Sequence, residues 1–302
     1  EHFDKEHKFL PKSEILSYEE IILLIKSMLP LGLRKVRITG GEPLLRKDIS
    51  KLIAMIRNLD EELDIAMTTN GVLLRRQIES LKIAGLNRVT VSLDSIDQSI
   101  FTEITDSNID VSHVLDGIVS AIDSGIGVKV NSVIKRNVNE NQIIPLLKTC
   151  FKLDVPIRFI EFMDVGSTNN WNLDSVVTGD EIREIIGLNF KPLIKKKANY
   201  YGEVAKNWTI DGNYDIGFIE SISSPFCGSC TRARISSNGK FHTCLFSEKG
   251  HDLMGMIRMS ADFEDLKRAI YLIWNKRKDK YSEIRSKNTV KRIPVEMSHI
   301  GG

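Results

Sequence analysis

The chain has 302 residues, 42% hydrophobic and 27% charged, which suits one large folded domain or two modest ones and excludes a disordered or collagen-like chain. Forty-two Lys and Arg against forty Asp and Glu leave a formal net charge of +2, with no basic excess of the kind that binds nucleic acid. No apolar run approaches a membrane span, and four cysteines are too few for a disulfide scaffold of this size, which points to a reducing, cytoplasmic setting.

The first element is a helix. Ser17-Tyr18-Glu19-Glu20 has an N-cap serine with Glu at N3, an apolar run follows, and Pro30 and Gly32 stop it. Residues 35–40 are rich in β-branched side chains and close on glycines, as a strand does. Further strands are predicted at 63–69, 88–94, 128–134 and 156–165, with amphipathic helices at 49–57, 74–84, 114–124 and 142–153. Strand–helix units of this length imply a parallel sheet with right-handed crossovers. Five such strands with no evident sixth suit an open or partial barrel, or a doubly wound sheet.

Polar residues alternate on those strands. Lys35, Arg37 and Thr39 share a face, as do Thr68 and Asn70, Ser92 and Asp94, and Lys129 and Asn131. Arg158 fits the set by type, whereas Glu161 and Met163 fall on the opposite parity unless a bulge intervenes. A packed barrel carries bulky aliphatic residues inside, so this pattern predicts a wide polar lumen for an anionic ligand. The bland alternative is a set of solvent-facing strand edges.

After Val165 the pattern changes. Residues 166–170 read as a loop, 179–186 as a helix, and 204–210 and 216–222 as antiparallel strands. Ser237-Asn238-Gly239 marks a hairpin turn. A boundary near 170 divides the chain into units 1–170 and 171–302. A single amphipathic helix is expected from 261 to about 285, with Lys276-Arg277-Lys278 on its solvated face, then a polar tail ending Gly301-Gly302.

The strongest chemical signal is Cys227-Gly-Ser-Cys230 followed after thirteen residues by Cys244. Three thiolates gathered by a tight turn and a hairpin can share a metal centre. Spacing leaves zinc, with His242 as fourth ligand, and an iron–sulfur cluster with one open iron equally available. Arg232 and Arg234, next in the chain, suit bidentate phosphate recognition. Cys150 lies in a helical context and reads as a core thiol.

Arg37-Ile-Thr-Gly-Gly-Glu-Pro43 resembles the GGEP motif of radical S-adenosylmethionine enzymes. Together with Thr68-Thr-Asn-Gly71, Ser92-Leu-Asp-Ser95, Lys129-Val-Asn131, Phe159-Ile-Glu-Phe-Met-Asp164, Phe226-Cys-Gly-Ser-Cys-Thr-Arg-Ala-Arg234 and Ile300-Gly-Gly302, it makes the chain similar to the GTP 3′,8-cyclase family over its whole length. The resemblance implies an incomplete (β/α)6 barrel, a C-terminal cluster domain closing it, and lyase activity in the first step of molybdenum cofactor biosynthesis. In that family a 5′-deoxyadenosyl radical takes the 3′ hydrogen of GTP, and the resulting radical attacks C8 of guanine.

By motif, the resemblance assigns S-adenosylmethionine to Gly41, Ser92, Asn131 and Met163. It assigns GTP to Lys35, Arg37, Thr68, Lys129, Arg232, Ala233 and Arg234, with Arg158 a lesser candidate. Cys227, Cys230 and Cys244 would ligate the second of two [4Fe–4S] clusters, and the diglycine tail would reach the active site. Implied partners are an electron donor, cyclic pyranopterin monophosphate synthase as product acceptor, and a second copy in a homodimer.

One departure stands out. No CxxxCxxC and no matching first strand precede the GGEP segment, and residue 1 is Glu rather than Met. The expectation is that both lie upstream in the full protein and that these 302 residues alone do not cleave S-adenosylmethionine. Two rival readings are a zinc-stabilised barrel enzyme acting on a phosphorylated metabolite and a GTP-binding regulator without catalytic power.

Overall fold

Helix caps and strand alternation account for most of the architecture. The computed structural model describes residues 10–165, 171–247, 249–279 and 281. Helix α1 (Tyr18–Met28) opens on a capping box: the Ser17 hydroxyl accepts from the Glu20 amide, and the Glu20 carboxylate accepts from the Ser17 amide at 2.7 Å. Then follow β1 (Lys35–Ile38), α2 (Ile49–Arg57), β2 (Asp64–Thr69), α3 (Leu74–Ile83), β3 (Arg88–Ser92), α4 (Gln98–Thr105), α5 (Ser112–Ser124), β4 (Gly127–Ile134), α6 (Ile143–Lys152) and β5 (Ile157–Glu161). Every predicted element of this stretch is present. Helix α4 is additional; Asp97 caps it by accepting from the amides of Ser99 and Ile100.

Strands β1 to β5 lie parallel in sequence order, but the sheet continues past them. After α7 (Gly179–Asn189), strands β6 (Leu193–Lys195), β7 (Lys206–Ile210) and β8 (Tyr214–Ile219) form an antiparallel meander, and β8 pairs parallel with β5. The sixth parallel strand, which the sequence pattern did not reveal, therefore comes from beyond residue 170. That expected boundary itself lies outside the described residues.

One face of the sheet is apolar. Ile65, Val89, Val130, Phe159 and Phe218 are buried in one cluster with Ile53, Ile78, Ile118 and Leu146 from the helices, each contributing about 1.5–3 kcal/mol on burial. Alternation turns the intervening residues to the opposite face, which lies away from this helical layer. An incomplete barrel with a polar lumen results.

A second apolar cluster ties the N-terminal helix to the C-terminal unit. Leu24 of α1 packs with Phe241, Leu253, Leu266 and Ile270. These last come from the hairpin of β9 (Arg234–Ile235) and β10 (Lys240–His242), which pairs with β11 (His251–Asp252), and from α8 (Leu253–Arg258) and α9 (Phe263–Asn275). The expected long helix is corrected here: α9 stops at Asn275, and Lys276-Arg277-Lys278 follows it instead of lying on its face. Beyond that end the chain makes other contacts. Arg277 stacks on Trp274 at 4.3 Å, Asp279 accepts from Thr243 at 2.5 Å, and Tyr281 donates to Asp164 at 2.8 Å. Residues 1–9 and the Gly301-Gly302 tail lie outside the described residues. No described helix is long and apolar enough to cross a membrane.

Candidate active site

Register places the lumen's polar residues in rows. Arg37 pairs with Ala66 and Ala66 with Arg88; Thr68, Thr90 and Lys129 form the next row; Ser92, Asn131, Arg158 and Gly217 form a third. Arg37 Nη1 donates to Thr68 Oγ1 at 2.8 Å and to Thr90 Oγ1 at 3.2 Å, so Thr68 steadies a cation as well as lining the lumen. Lys35 Nζ stands 3.4 Å from Asp64 and 5.2 Å from the centre of the Tyr200 ring. Gly217 leaves room for Arg158, whose Cγ a Cβ there would meet at 3.0 Å.

Cations crowded in a low-dielectric space lose protons more easily. Burial, with Arg88 and Arg158 nearby, lowers Arg37 to about 10. Burial and the same kind of repulsion, from Arg158 and Arg88, bring Lys129 down to about 8. Burial also lowers Arg158, against the pull of Tyr200 and Glu203. Such a cluster is costly without an anion between its members.

The C-terminal rim of the barrel is different. Gly40 and Gly41 follow β1 with Gly40 at φ +141°, and a Cβ on either would meet nothing within 4 Å, so the backbone there is open to a ligand. Glu42 of the same motif holds the turn, accepting from Leu44 N at 2.9 Å, Thr69 Oγ1 at 2.8 Å and Asn70 N at 2.7 Å. Ser92 and Asn131 are side by side in register, and Asn131 Oδ1 is buried without a hydrogen-bond partner among the described residues. An orphaned buried acceptor fits a ligand that donates to it.

Asp94 accepts from Val133 N at 2.7 Å, and burial pushes its carboxyl up to about 6. Met163 lies beyond the end of β5, where strand parity no longer applies. Glu161 faces the helices and is a brace. Its carboxylate accepts from the amides of Gly179, Ile222 and Ser223 at 2.9, 2.8 and 2.9 Å.

The cysteines gather beside the cationic end. Cys227 and Cys230 flank a 3-10 turn, and Cys244 follows β10. Burial, then Asp279 and the other two thiols, raise Cys244, while the Phe246 amide, 3.4 Å from its sulfur, opposes the rise. Burial raises Cys230 too, but Arg232, with Nη2 3.4 Å from the sulfur, outweighs it and leaves the thiol below its usual range. Arg234, lowered to about 10 by burial and by Arg232, lies near enough to feel Cys230, Cys244 and Arg37. Arg232 also covers the Phe226 ring at 5.4 Å, and the exposed Ala233 separates it from Arg234, where β9 begins.

Among the described residues no three His, Cys, Asp or Glu converge as ligands of a single ion. A cubane takes each thiolate on a different iron, so it needs cysteines around it, not on one point. His242, which a zinc site would take as its fourth ligand, has Nδ1 2.8 Å from Ser247 Oγ in the following loop. Cys150 is 2% exposed, and burial drives its thiol to about 12, as for an inert core residue.

Sequence reasoning missed Arg88, although parity with Thr90 and Ser92 puts it on the lumen face. It also missed Tyr200 and Glu203, which a loop brings back to the cations without any local signal. Gly202 (φ +79°) lets that loop press on the cysteine turn, where a Cβ would meet Ser229 O at 2.7 Å.

Residues 3–150 match the Radical SAM superfamily, and residues 155–283 match Molybdenum Cofactor Synthesis C. A Staphylococcus epidermidis protein named GTP 3′,8-cyclase is 44% identical over 99% of this chain and 89% of its own length. The Staphylococcus aureus protein of that name is 42% identical with the same coverage. Among solved structures, Streptococcus suis SuiB bound to S-adenosylmethionine matches with a TM-score of 0.57 at 15% identity, over 80% of this chain and 58% of that one. Native anSMEcpe with bound AdoMet gives 0.52 at 15% identity, over 88% and 78%. Both likenesses are of fold.

Proposed function

The chain belongs to the GTP 3′,8-cyclase family of radical S-adenosylmethionine enzymes, and from that premise we propose that it converts GTP into (8S)-3′,8-cyclo-7,8-dihydroguanosine 5′-triphosphate, the first step of molybdenum cofactor biosynthesis. One observation carries the assignment of the site. Lys35, Arg37, Lys129 and Arg158 crowd one lumen, and Arg234 beside the cysteines is close enough to feel Arg37. A triphosphate, with about four negative charges, offsets that repulsion.

In this reading Lys35, Arg37, Thr68, Lys129, Arg158, Arg232 and Arg234 hold the phosphates, and the small side chain of Ala233 lets the backbone between the two arginines approach the nucleotide. Cys227, Cys230 and Cys244 hold a [4Fe–4S] cluster against the guanine, one of two in the full-length protein. Gly41, Ser92, Asn131 and Met163 hold S-adenosylmethionine at the rim. Bound there, that cofactor would supply, together with iron–sulfur chemistry, the radical chemistry needed at C3′ of GTP. The protein's share is position and dryness: anchored at phosphate and base, the ribose is held still, and water is kept from reactive carbon. An electron donor and a cyclic pyranopterin monophosphate synthase that accepts the product complete the partners.

The test is turnover under strict anaerobiosis by the full-length protein given GTP, S-adenosylmethionine and reductant. Deuterium placed at C3′ of GTP is expected in 5′-deoxyadenosine, together with a cyclised triphosphate. Cleavage of S-adenosylmethionine with GTP left unchanged overturns the reading.

A further inference from the structure

Asp64 puts a carboxylate among the lumen cations. It opens β2 directly across the ladder from Lys35. Its Oδ2 lies 2.6 Å from Arg88 Nη2 and 3.4 Å from Lys35 Nζ, and its charge reaches Arg37. Left to itself, this carboxylate would neutralise Lys35 and Arg37 and repel an entering phosphate. The tightest of its contacts goes to Arg88 on the next strand. That guanidinium is 25% exposed, so its charge-assisted bond is only weakly screened. Arg88 Nε is also buried without a partner among the described residues, so packing and not a full set of hydrogen bonds fixes the group.

We propose that Arg88 is a positioning residue for the phosphates of the nucleotide: it takes the tighter bond to Asp64 and thereby weakens that carboxylate's hold on Lys35 and Arg37, which turn to the anion. The proposal rests on the reading that the lumen takes a nucleoside triphosphate. Arg88 reports on the same field, because its charge depresses Arg37, Lys129 and Arg158 alike. A pair that merely braced β2 to β3 would behave differently, since removing its arginine would not turn Asp64 against a ligand.

Equilibrium binding of labelled GTP to the full-length, cluster-loaded protein separates the two, with guanosine as the uncharged control. Arg88→Gln is expected to weaken GTP by about 10- to 30-fold while guanosine changes less than about twofold, because the half-buried Asp64 carboxylate then turns to Lys35 and Arg37 and repels the phosphates. Adding Asp64→Asn to that variant is expected to return GTP binding to within about threefold of wild type. Asp64→Asn alone keeps Arg88 intact and is expected to tighten GTP by about two- to threefold. GTP binding unchanged in Arg88→Gln, no recovery in the double variant, or no tightening in Asp64→Asn overturns the proposal. Wild-type protein that binds neither GTP nor guanosine overturns the functional reading instead.

Discussion

The two ends of the lumen are built on opposite principles. At the rim, Gly40, Gly41, Ser92 and Asn131 offer open backbone and neutral polar groups, with the buried Asn131 Oδ1 lacking a hydrogen-bond partner among the described residues. At the other end stand Arg37, Lys129 and Arg234, with Arg158 rooted in the row of Ser92 and Asn131 but acting on Arg37 and Lys129, and burial first and repulsion second make each easier to deprotonate than usual. The rim suits a ligand whose charges balance, and the cationic end suits one with a large excess of negative charge. Fold stability comes from neither, since the apolar layer lies on the far face of the sheet. The protein can therefore afford a lumen that is electrostatically unfavourable until it is filled.

Breaking one end should leave the other working. The largest effect is expected at Arg234, which links the cysteine turn to the barrel. Arg234→Ala should weaken GTP by about 10- to 100-fold, the range for a lost hydrogen bond to a charged group, with iron and sulfide content unchanged. Binding by isothermal titration alongside metal analysis checks it, and equal affinity would remove Arg234 from the phosphate site. At the rim, Asn131→Leu should weaken S-adenosylmethionine by about 3- to 10-fold and leave GTP within twofold or so. Because Asn131 Oδ1 is orphaned, the same change should not lower the thermal midpoint of the ligand-free protein. A lower midpoint would mean that the amide serves the fold.

Much of this division was legible in the residues. Period-two alternation exposed Lys35, Arg37, Thr68, Lys129 and Asn131, because parallel strands normally bury both faces and polar side chains on them need a reason. The cysteines were legible by spacing. Arg88 could have been read from the same parity. Other parts were not local. Strand β8 is ordinary in pattern and becomes the sixth parallel strand only through its pairing with β5. Glu203 reaches Arg158 and Lys129 by a loop return that no spacing encodes. The end of α9 at Asn275 is likewise followed by bonds from Asp279 and Tyr281 to Thr243 and Asp164, partners far from the helix end in sequence.

The last prediction tests the cationic end through its protonation. Lys129 titrates near 8, chiefly because burial disfavours its charged form and then because Arg158 and Arg88 repel it. A bound triphosphate favours the charged form, so binding raises this value, and by linkage affinity is full below about 8 and declines as pH rises. One proton limits the slope to about tenfold per pH unit. Between pH 7 and 9 the wild-type dissociation constant for GTP should rise by about fivefold to tenfold, well before Arg37 and Arg234, near 10, begin to discharge. Lys129→Met should bind more weakly at pH 7 and lose most of that slope, whereas S-adenosylmethionine binding should keep the same pH profile in both proteins. A slope that persists in Lys129→Met would move the titration to another group, and a slope shared by both ligands would mean that the two ends are electrically one site.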